Sequence, residues 1–210
     1  MQKYFVKTPW WLKQLYSSRI WSIDTNEKKI YLTFDDGPHP TITPFVLGEL
    51  KKYCAKATFF CIGKNVVSYP GVYQQILDEG HRTGNHTQNH LNGWQTVNDI
   101  YFSDIEEATL YINSDLFRPP YGRIRSSQAK YIRRAMDKET AKIVMWDVLS
   151  GDFDKSTTPE QCLKNVVEKT NDGSVIVFHD SVKAWEKLSY TLPRILEHFS
   201  RKGFTFSAIS

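Results

Sequence analysis

Apolar positions along this chain come in short blocks, each ended by polar or turn-forming residues. Ile30-Tyr31-Leu32-Thr33-Phe34 is β-branched and aromatic and stops at Asp35-Asp36-Gly37-Pro38, which predicts a buried strand running into a turn. Residues 57–62 predict a second buried strand, stopped at Gly63, and residues 175–178 another, followed by His179-Asp180. An apolar strand is also expected over 142–148, Leu116-Phe117 leads into a Pro-Pro turn, and Gly203-Phe204-Thr205-Phe206 closes the chain. Between these blocks the spacing predicts helices over 44–53, 72–79, 99–111, 126–138 and around 195–201. Gly80 is placed to end one of them in the left-handed conformation. Thr158-Pro159-Glu160 opens a further helix, with Thr as N-cap and Pro at the first turn.

About seven strands alternating with helices, with no linker and no strong repeat, predict one α/β domain. Polar residues gather just after the strands, at the end where parallel α/β barrels keep their chemistry. Residues 1–26 stand apart: they are rich in rings (Phe5, Trp10, Trp11, Tyr16, Trp21), and Pro9 precedes a short helix-like run. This segment is expected to pack as a flap across a domain formed by residues 27–210, with sugar stacking or a membrane-surface contact as its functional alternatives.

Composition narrows the picture. A chain of 210 residues builds one substantial core and is short for two. The net charge of +4 is spread without a basic block, so no nucleic acid partner is expected. Cys54, Cys61 and Cys162 form no CxxC pair and read as reduced, packed thiols. No run approaches the roughly 18 apolar residues of a transmembrane segment. The first residues lack the apolar stretch of a secretory leader, so a cytoplasmic location is expected, with a removed leader or another export route as the alternative.

The candidate chemistry lies at the strand ends. Neighbouring residues at a strand end point in different directions, so one of Asp35 and Asp36 can face a metal and the other the reacting group. Alone, Asp-Asp-Gly is equally a solvated turn. His86-Thr87-Gln88-Asn89-His90 spaces two imidazoles at i and i+4, read as one face of a helical turn. Two His and a carboxylate, with water completing the shell, suit a hydrolytic metal site. His39, His81 and His198 are assigned to structure.

Four motifs occur in a telling order: Thr33-Phe34-Asp35-Asp36-Gly37, His86-Thr87-Gln88-Asn89-His90, Arg118-Pro119-Pro120-Tyr121-Gly122 and Val177-Phe178-His179-Asp180. The chain resembles the polysaccharide deacetylases in this, the NodB-homology family or carbohydrate esterase family 4, from about Lys29 onward. The resemblance implies a distorted (β/α)7 barrel, a divalent metal, usually Zn2+ and sometimes Co2+ or Ni2+, and removal of acetyl groups from sugars. By motif position it makes Asp36, His86 and His90 the metal ligands, Asp35 the general base and Arg118 its partner. The backbone N–H of Tyr121 would help hold the oxyanion, and His179 would be the general acid. Amide hydrolysis needs these parts: an activated water, a stabilised tetrahedral oxyanion and a proton for the departing amine.

The match departs at the family's fourth motif, an Asp, two residues, then Asp-Trp. Here Leu149 stands at the first Asp and Phe153 replaces the Trp, while Asp152 survives and is expected to orient His179 and raise its pKa. Phe153 would keep an apolar wall for the acetyl methyl, and Trp94, Tyr121 and Trp185 are candidate stacking surfaces. The first reading is a monomeric, metal-dependent amidase of N-acetylated glycans such as chitin oligomers or peptidoglycan. The alternatives are an O-acetyl esterase on acetylated xylan and a glycan-binding protein with impaired catalysis.

Overall fold

Strand β1 (Lys29–Asp35) runs between two parallel neighbours, β2 (Thr58–Cys61) and β7 (Val175–His179). Alternation along β1 sends its side chains into two separate layers. Ile30, Leu32 and Phe34 join Phe59, Ile176 and Phe178 and the buried faces of the outer helices. Tyr31 turns the other way, into an inner cluster with Phe60, Leu116, Val144, Val175 and Ile209. Both faces are covered, as a parallel sheet requires. Thr33 and Asp35 share the parity of Tyr31, which delivers a carboxylate to the inside of the barrel at the strand's carboxyl end.

The structure, a computed structural model, describes residues 4–210. The remaining strands are β3 (Arg82–Asn85), β4 (Leu116–Phe117), β5 (Lys142–Ile143), β6 (Val148–Leu149) and β8 (Thr205–Phe206). All pair in parallel in the order β5-β4-β3-β2-β1-β7-β6, with β8 beside the start of β1. The helices are α1 (Trp10–Leu15), α2 (Ile42–Lys51), α3 (Gly63–Ser68), α4 (Pro70–Asp78), α5 (Asn98–Thr109), α6 (Ser126–Ala129), α7 (Ile132–Ala135), α8 (Pro159–Lys169) and α9 (Trp185–Arg201). This is the expected distorted (β/α)7 barrel in one domain, with β8 as an added two-residue strand.

The N-terminal segment lines both ends of the open sheet. Ile20 bridges Val144, and Lys7 bridges Val148 in antiparallel fashion, so the edge strands β5 and β6 are both covered. No helix among the described residues is long and apolar enough to cross a membrane. The three cysteines are free, two of them buried.

Several elements differ from the sequence pattern. The helix expected over 126–138 is two short ones, because Tyr131 (φ −104°, ψ 6°) leaves helical geometry between them. The strand expected over 142–148 is two pieces: between them Met145 donates its N–H to Ile20 rather than to the sheet. Helix α9 begins ten residues before the expected 195, because Leu188, Thr191, Leu192, Ile195, Leu196 and Phe199 form one buried stripe despite Pro193. Helix α3 was not foreseen. Thr158 does cap α8, its hydroxyl accepting the Gln161 N–H at 3.2 Å.

Candidate active site

Asp35 ends β1 with its side chain against Arg118, whose Nη1 lies 2.7 Å from Oδ1. Arg118 is wholly buried and spends its other donors on fixed oxygens: Thr33 Oγ1 at 2.7 Å, Val144 O at 3.2 Å and Met145 O at 2.8 Å. Its guanidinium sits 4.1 Å above the Phe60 ring. Burial pulls the Arg118 pKa below its usual value, with Asp35 acting in the opposite direction. Asp35 is thus held at one oxygen by a cation that cannot move away.

Asp36 leaves the strand at φ 80° and faces His86 and His90, its Oδ1 lying 3.7 and 3.2 Å from their Nε2 atoms. One donor atom from each of the three can be chosen so that all lie within 4.8 Å of one another. Asp36 Oδ1 is buried without a hydrogen-bond partner. That orphaned oxygen beside two imidazole nitrogens fits a divalent cation, and the N,N,O donor set suits Zn2+, Co2+ or Ni2+. His86 Nδ1 is 2.7 Å from the Arg118 carbonyl, which fixes the proton there and leaves Nε2 unprotonated. Burial, the largest influence, lowers His86 to about 4, so the ring is neutral, as a ligand must be. Burial would raise the Asp36 carboxyl, but His90, then His179 and His86, hold it well below the carboxylate range.

The helical turn expected over 86–90 is absent. His86 directly follows β3, and the chain then bends with Thr87 at φ 65° and His90 at φ 57°. Asp104 on α5 imposes the bend: Oδ2 accepts the N–H groups of Gln88 and Asn89 at 3.0 Å each, and Oδ1 takes Asn89 Nδ2 at 2.7 Å. Asn85 adds a bond from the Thr87 N–H to its Oδ1 at 2.8 Å. The imidazoles converge through this loop instead, their centroids 5.1 Å apart.

On the other side, β7 pairs with β1 so that His179 lies level with Asp35. Asp152 Oδ1 is 2.8 Å from His179 Nδ1, and its Oδ2 accepts the His179 backbone N–H at 2.7 Å. Burial would lower the His179 pKa, but Asp152, then Asp36 and Asp35, raise it to about 9. Phe153 stands nearly edge-on to the same ring at 5.3 Å. Tyr121 takes φ 60° in a tight turn and lays its ring 4.6 Å from His90. Gly122 follows at φ 66°, where a Cβ would come within 2.4 Å of the Trp146 ring, so only glycine fits. The turn bonds the Gly122 and Arg123 N–H groups to the Pro119 and Pro120 carbonyls. Among the described residues, four of the six non-glycine positions with positive φ (Asp36, Thr87, His90 and Tyr121) fall in this site. Bulky residues hold such backbone only where their surroundings impose it.

Asp35, Asp36, His86, His90, Arg118, Asp152, Phe153, His179 and Tyr121 therefore form one connected group. Trp185 is not drawn into it: its ring packs edge-on against Phe45 at 5.0 Å. Trp94 is 57% exposed beside Arg123, whose guanidinium lies 5.3 Å from its ring. Of the supports, Thr33 and Asp180 stand inside the quoted motifs with no role assigned to them, and Asn85 and Asp104 lie outside those motifs. Asp180 is fully enclosed, bonded to the Gly37 N–H at 3.0 Å and to the Thr43 hydroxyl, and burial pushes its carboxyl up to about 7. Outside the motifs Asp104 left a signal, as a lone acid in the stripe Tyr101, Asp104, Ile105, Ala108 that α5 buries.

A parallel barrel with paired acid and base groups at the carboxyl ends of its strands has the arrangement of a barrel hydrolase. The family profile described as polysaccharide deacetylase matches residues 22–139. Over 196 residues the chain is 34% identical to the peptidoglycan-N-acetylglucosamine deacetylase of Bacillus cereus, covering 90% of each. Over 165 residues it is 32% identical to the chitooligosaccharide deacetylase of Azorhizobium caulinodans, covering 75% of this chain and 76% of that one. The crystal structure of the Bc1960 peptidoglycan N-acetylglucosamine deacetylase in complex with 4-naphthalen-1-yl-N-oxidanyl-benzamide superimposes with a TM-score of 0.85 at 31% identity, over 96% of this chain and 95% of that one. The chain belongs to the polysaccharide deacetylase family, the NodB-homology group of carbohydrate esterase family 4.

Proposed function

We propose that the protein is a metal-dependent deacetylase that hydrolyses the N-acetyl groups of N-acetylglucosamine-containing glycans to acetate and free amine. The observation that carries this reading is the Asp36, His86 and His90 triad beside a buried Asp35–Arg118 pair and a His179 paired to a buried Asp152. A divalent cation on that triad would supply Lewis acidity toward the acetyl carbonyl and make a water easier to deprotonate.

The chain's own residues account for the proton traffic. Arg118 occupies one oxygen of Asp35 and leaves the other to accept the water's proton as its oxygen attacks the carbonyl carbon. The Tyr121 N–H, carried on the turn beside His90, donates to the oxyanion that develops; loss of such a donor costs about 3 kcal/mol in other enzymes. His179 keeps its Nδ1 proton on Asp152 and gives the Nε2 proton to the nitrogen as the C–N bond breaks. An amine is a poor leaving group, so the strong bond to Asp152 bears directly on the amide reaction. Phe153 walls the acid side with an apolar ring.

Two relatives with similar cover are named for peptidoglycan N-acetylglucosamine and chitooligosaccharide, which supports an N-acetylated glycan as substrate. The altered fourth motif was the support for impaired catalysis, and Asp152 alone makes both bonds to His179, which counts against that alternative. The test is acetate release from chitin oligomers, peptidoglycan and acetylated xylan by the zinc-loaded protein. Release from either N-acetylated glycan with new free amine is expected. Release from xylan alone would replace the amidase reading with an esterase.

A further inference from the structure

We infer that the N-terminal segment belongs to the acid side of this site, with Tyr4 as a positioning residue that acts on His179 through Phe153. The inference rests on the amidase reading above. Residues 6–8 run along β6: Leu149 donates its N–H to Val6 O and Thr8 donates to Asp147 O, both at 2.8 Å. The buried Asp147 carboxylate takes the ammonium groups of both Lys7 and Lys13, and Ser174 Oγ at 2.6 Å. Three polar groups on one buried carboxylate clamp the segment where it crosses the edge of the barrel.

The clamp sets Tyr4 over the turn that carries Asp152 and Phe153. Tyr4 Oη is 3.3 Å from Thr157 Oγ1, and a Cβ on Gly151 would approach the same oxygen to 2.8 Å. The Tyr4 ring lies 5.2 Å from the Phe153 ring, and Phe153 lies 5.3 Å from the His179 ring. Three rings therefore form a continuous series of tilted and edge-on contacts that ends on the general acid. Asp152 fixes His179 at Nδ1 and at its backbone, but nothing on Asp152 limits tilt of the ring's outer edge. Phe153 supplies that limit, and Phe153 is itself backed by Tyr4.

This makes the segment's contribution dependent on the leaving group. Expulsion of an amine requires the His179 proton, whereas nitrophenolate leaves 4-nitrophenyl acetate unaided. Tyr4→Ala is expected to lower kcat on a chitin oligomer about tenfold, with KM and the aryl ester rate each changed less than about twofold. Tyr4→Phe, which keeps the ring, is expected to restore the amide-to-ester ratio. Trp10→Ala, an exposed change on the same segment, should alter neither rate, and zinc affinity by titration calorimetry should be equal in all four proteins. Parallel loss on both substrates, or an unchanged kcat on the oligomer, overturns the inference while leaving the amidase reading intact. Absence of acetate from the oligomer with the unmodified protein overturns the amidase reading first.

Discussion

Asp152 grips His179 twice, with one carboxylate oxygen 2.8 Å from the ring Nδ1 and the other accepting the backbone N–H of the same residue at 2.7 Å. The ring's tautomer and the main chain that carries it are set by a single side chain. Leu149, at the position where relatives are expected to carry an additional Asp, is a buried strand residue whose N–H serves the N-terminal segment.

The pH dependence follows from that grip. Burial works against protonation of His179, but Asp152, then Asp36 and Asp35, raise the group to about 9. A general acid must be protonated, so amide hydrolysis should hold below this value and fall as pH rises through it. A cation beside Asp36 offsets part of that negative charge and moves the fall to lower pH. Asp152→Asn should move it further down, toward the ordinary imidazole range, and cut kcat about 100-fold. Profiles of kcat against pH on a chitin oligomer check both; an unmoved alkaline limb would remove Asp152 from this role.

Arg118 offers a stability test. Arg118→Met leaves Asp35 buried without its cation and deprives Val144 and Met145 of their donor. Breaking a buried pair in this way costs about 3 kcal/mol or more, so the urea midpoint should fall clearly at unchanged slope. A midpoint equal to that of the unmodified protein would show that the pair does not hold the barrel mouth together.

Asp104 should act on metal affinity at a distance. Its carboxylate makes three bonds to the loop between the two histidines and none to the ligands themselves. Asp104→Ala frees that loop, and loss of such outer support typically weakens binding 10- to 100-fold, about tenfold being expected here. Zinc titration of the variant is the check, and unchanged affinity would mean that the strained His90 backbone is held by other contacts.

The barrel was legible in the chain because its central strands are continuous apolar runs that stop at charged residues. Residues 30–34, 57–62 and 175–178 all became strands where that pattern put them. The edge strands were legible only as one run over 142–148, since two-residue strands such as Val148–Leu149 carry no period of their own and are set by partners far away in sequence. The ordered motifs named Asp35, Asp36, His86, His90, Arg118 and His179, and the structure gathers them. The i, i+4 spacing of the histidines was read correctly as convergence and wrongly as a helix. A loop bent by Asp104 brings two side chains together equally well, and the acid responsible lies on another element. Trp185, offered from the sequence as a stacking surface, packs one edge on Phe45 and stays partly exposed. The Lys7, Lys13 and Asp147 clamp had no local signature, because its members lie more than 130 residues apart.

Asp36, His86 and His90 are proposed to hold a catalytic cation beside a base at Asp35, and one measurement separates those roles. Acetate release from a chitin oligomer is followed after chelation, after addition of zinc or cobalt, and in Asp35→Asn and His90→Ala. Loss of activity on chelation, recovery with metal, and two kinds of inactive variant are expected. Asp35→Asn binds zinc with nearly unchanged affinity, whereas His90→Ala loses more than about 100-fold, beyond the usual effect of a mere outer-shell partner. Activity that survives exhaustive chelation, or an Asp35→Asn protein that still releases acetate at the original rate, would contradict those roles.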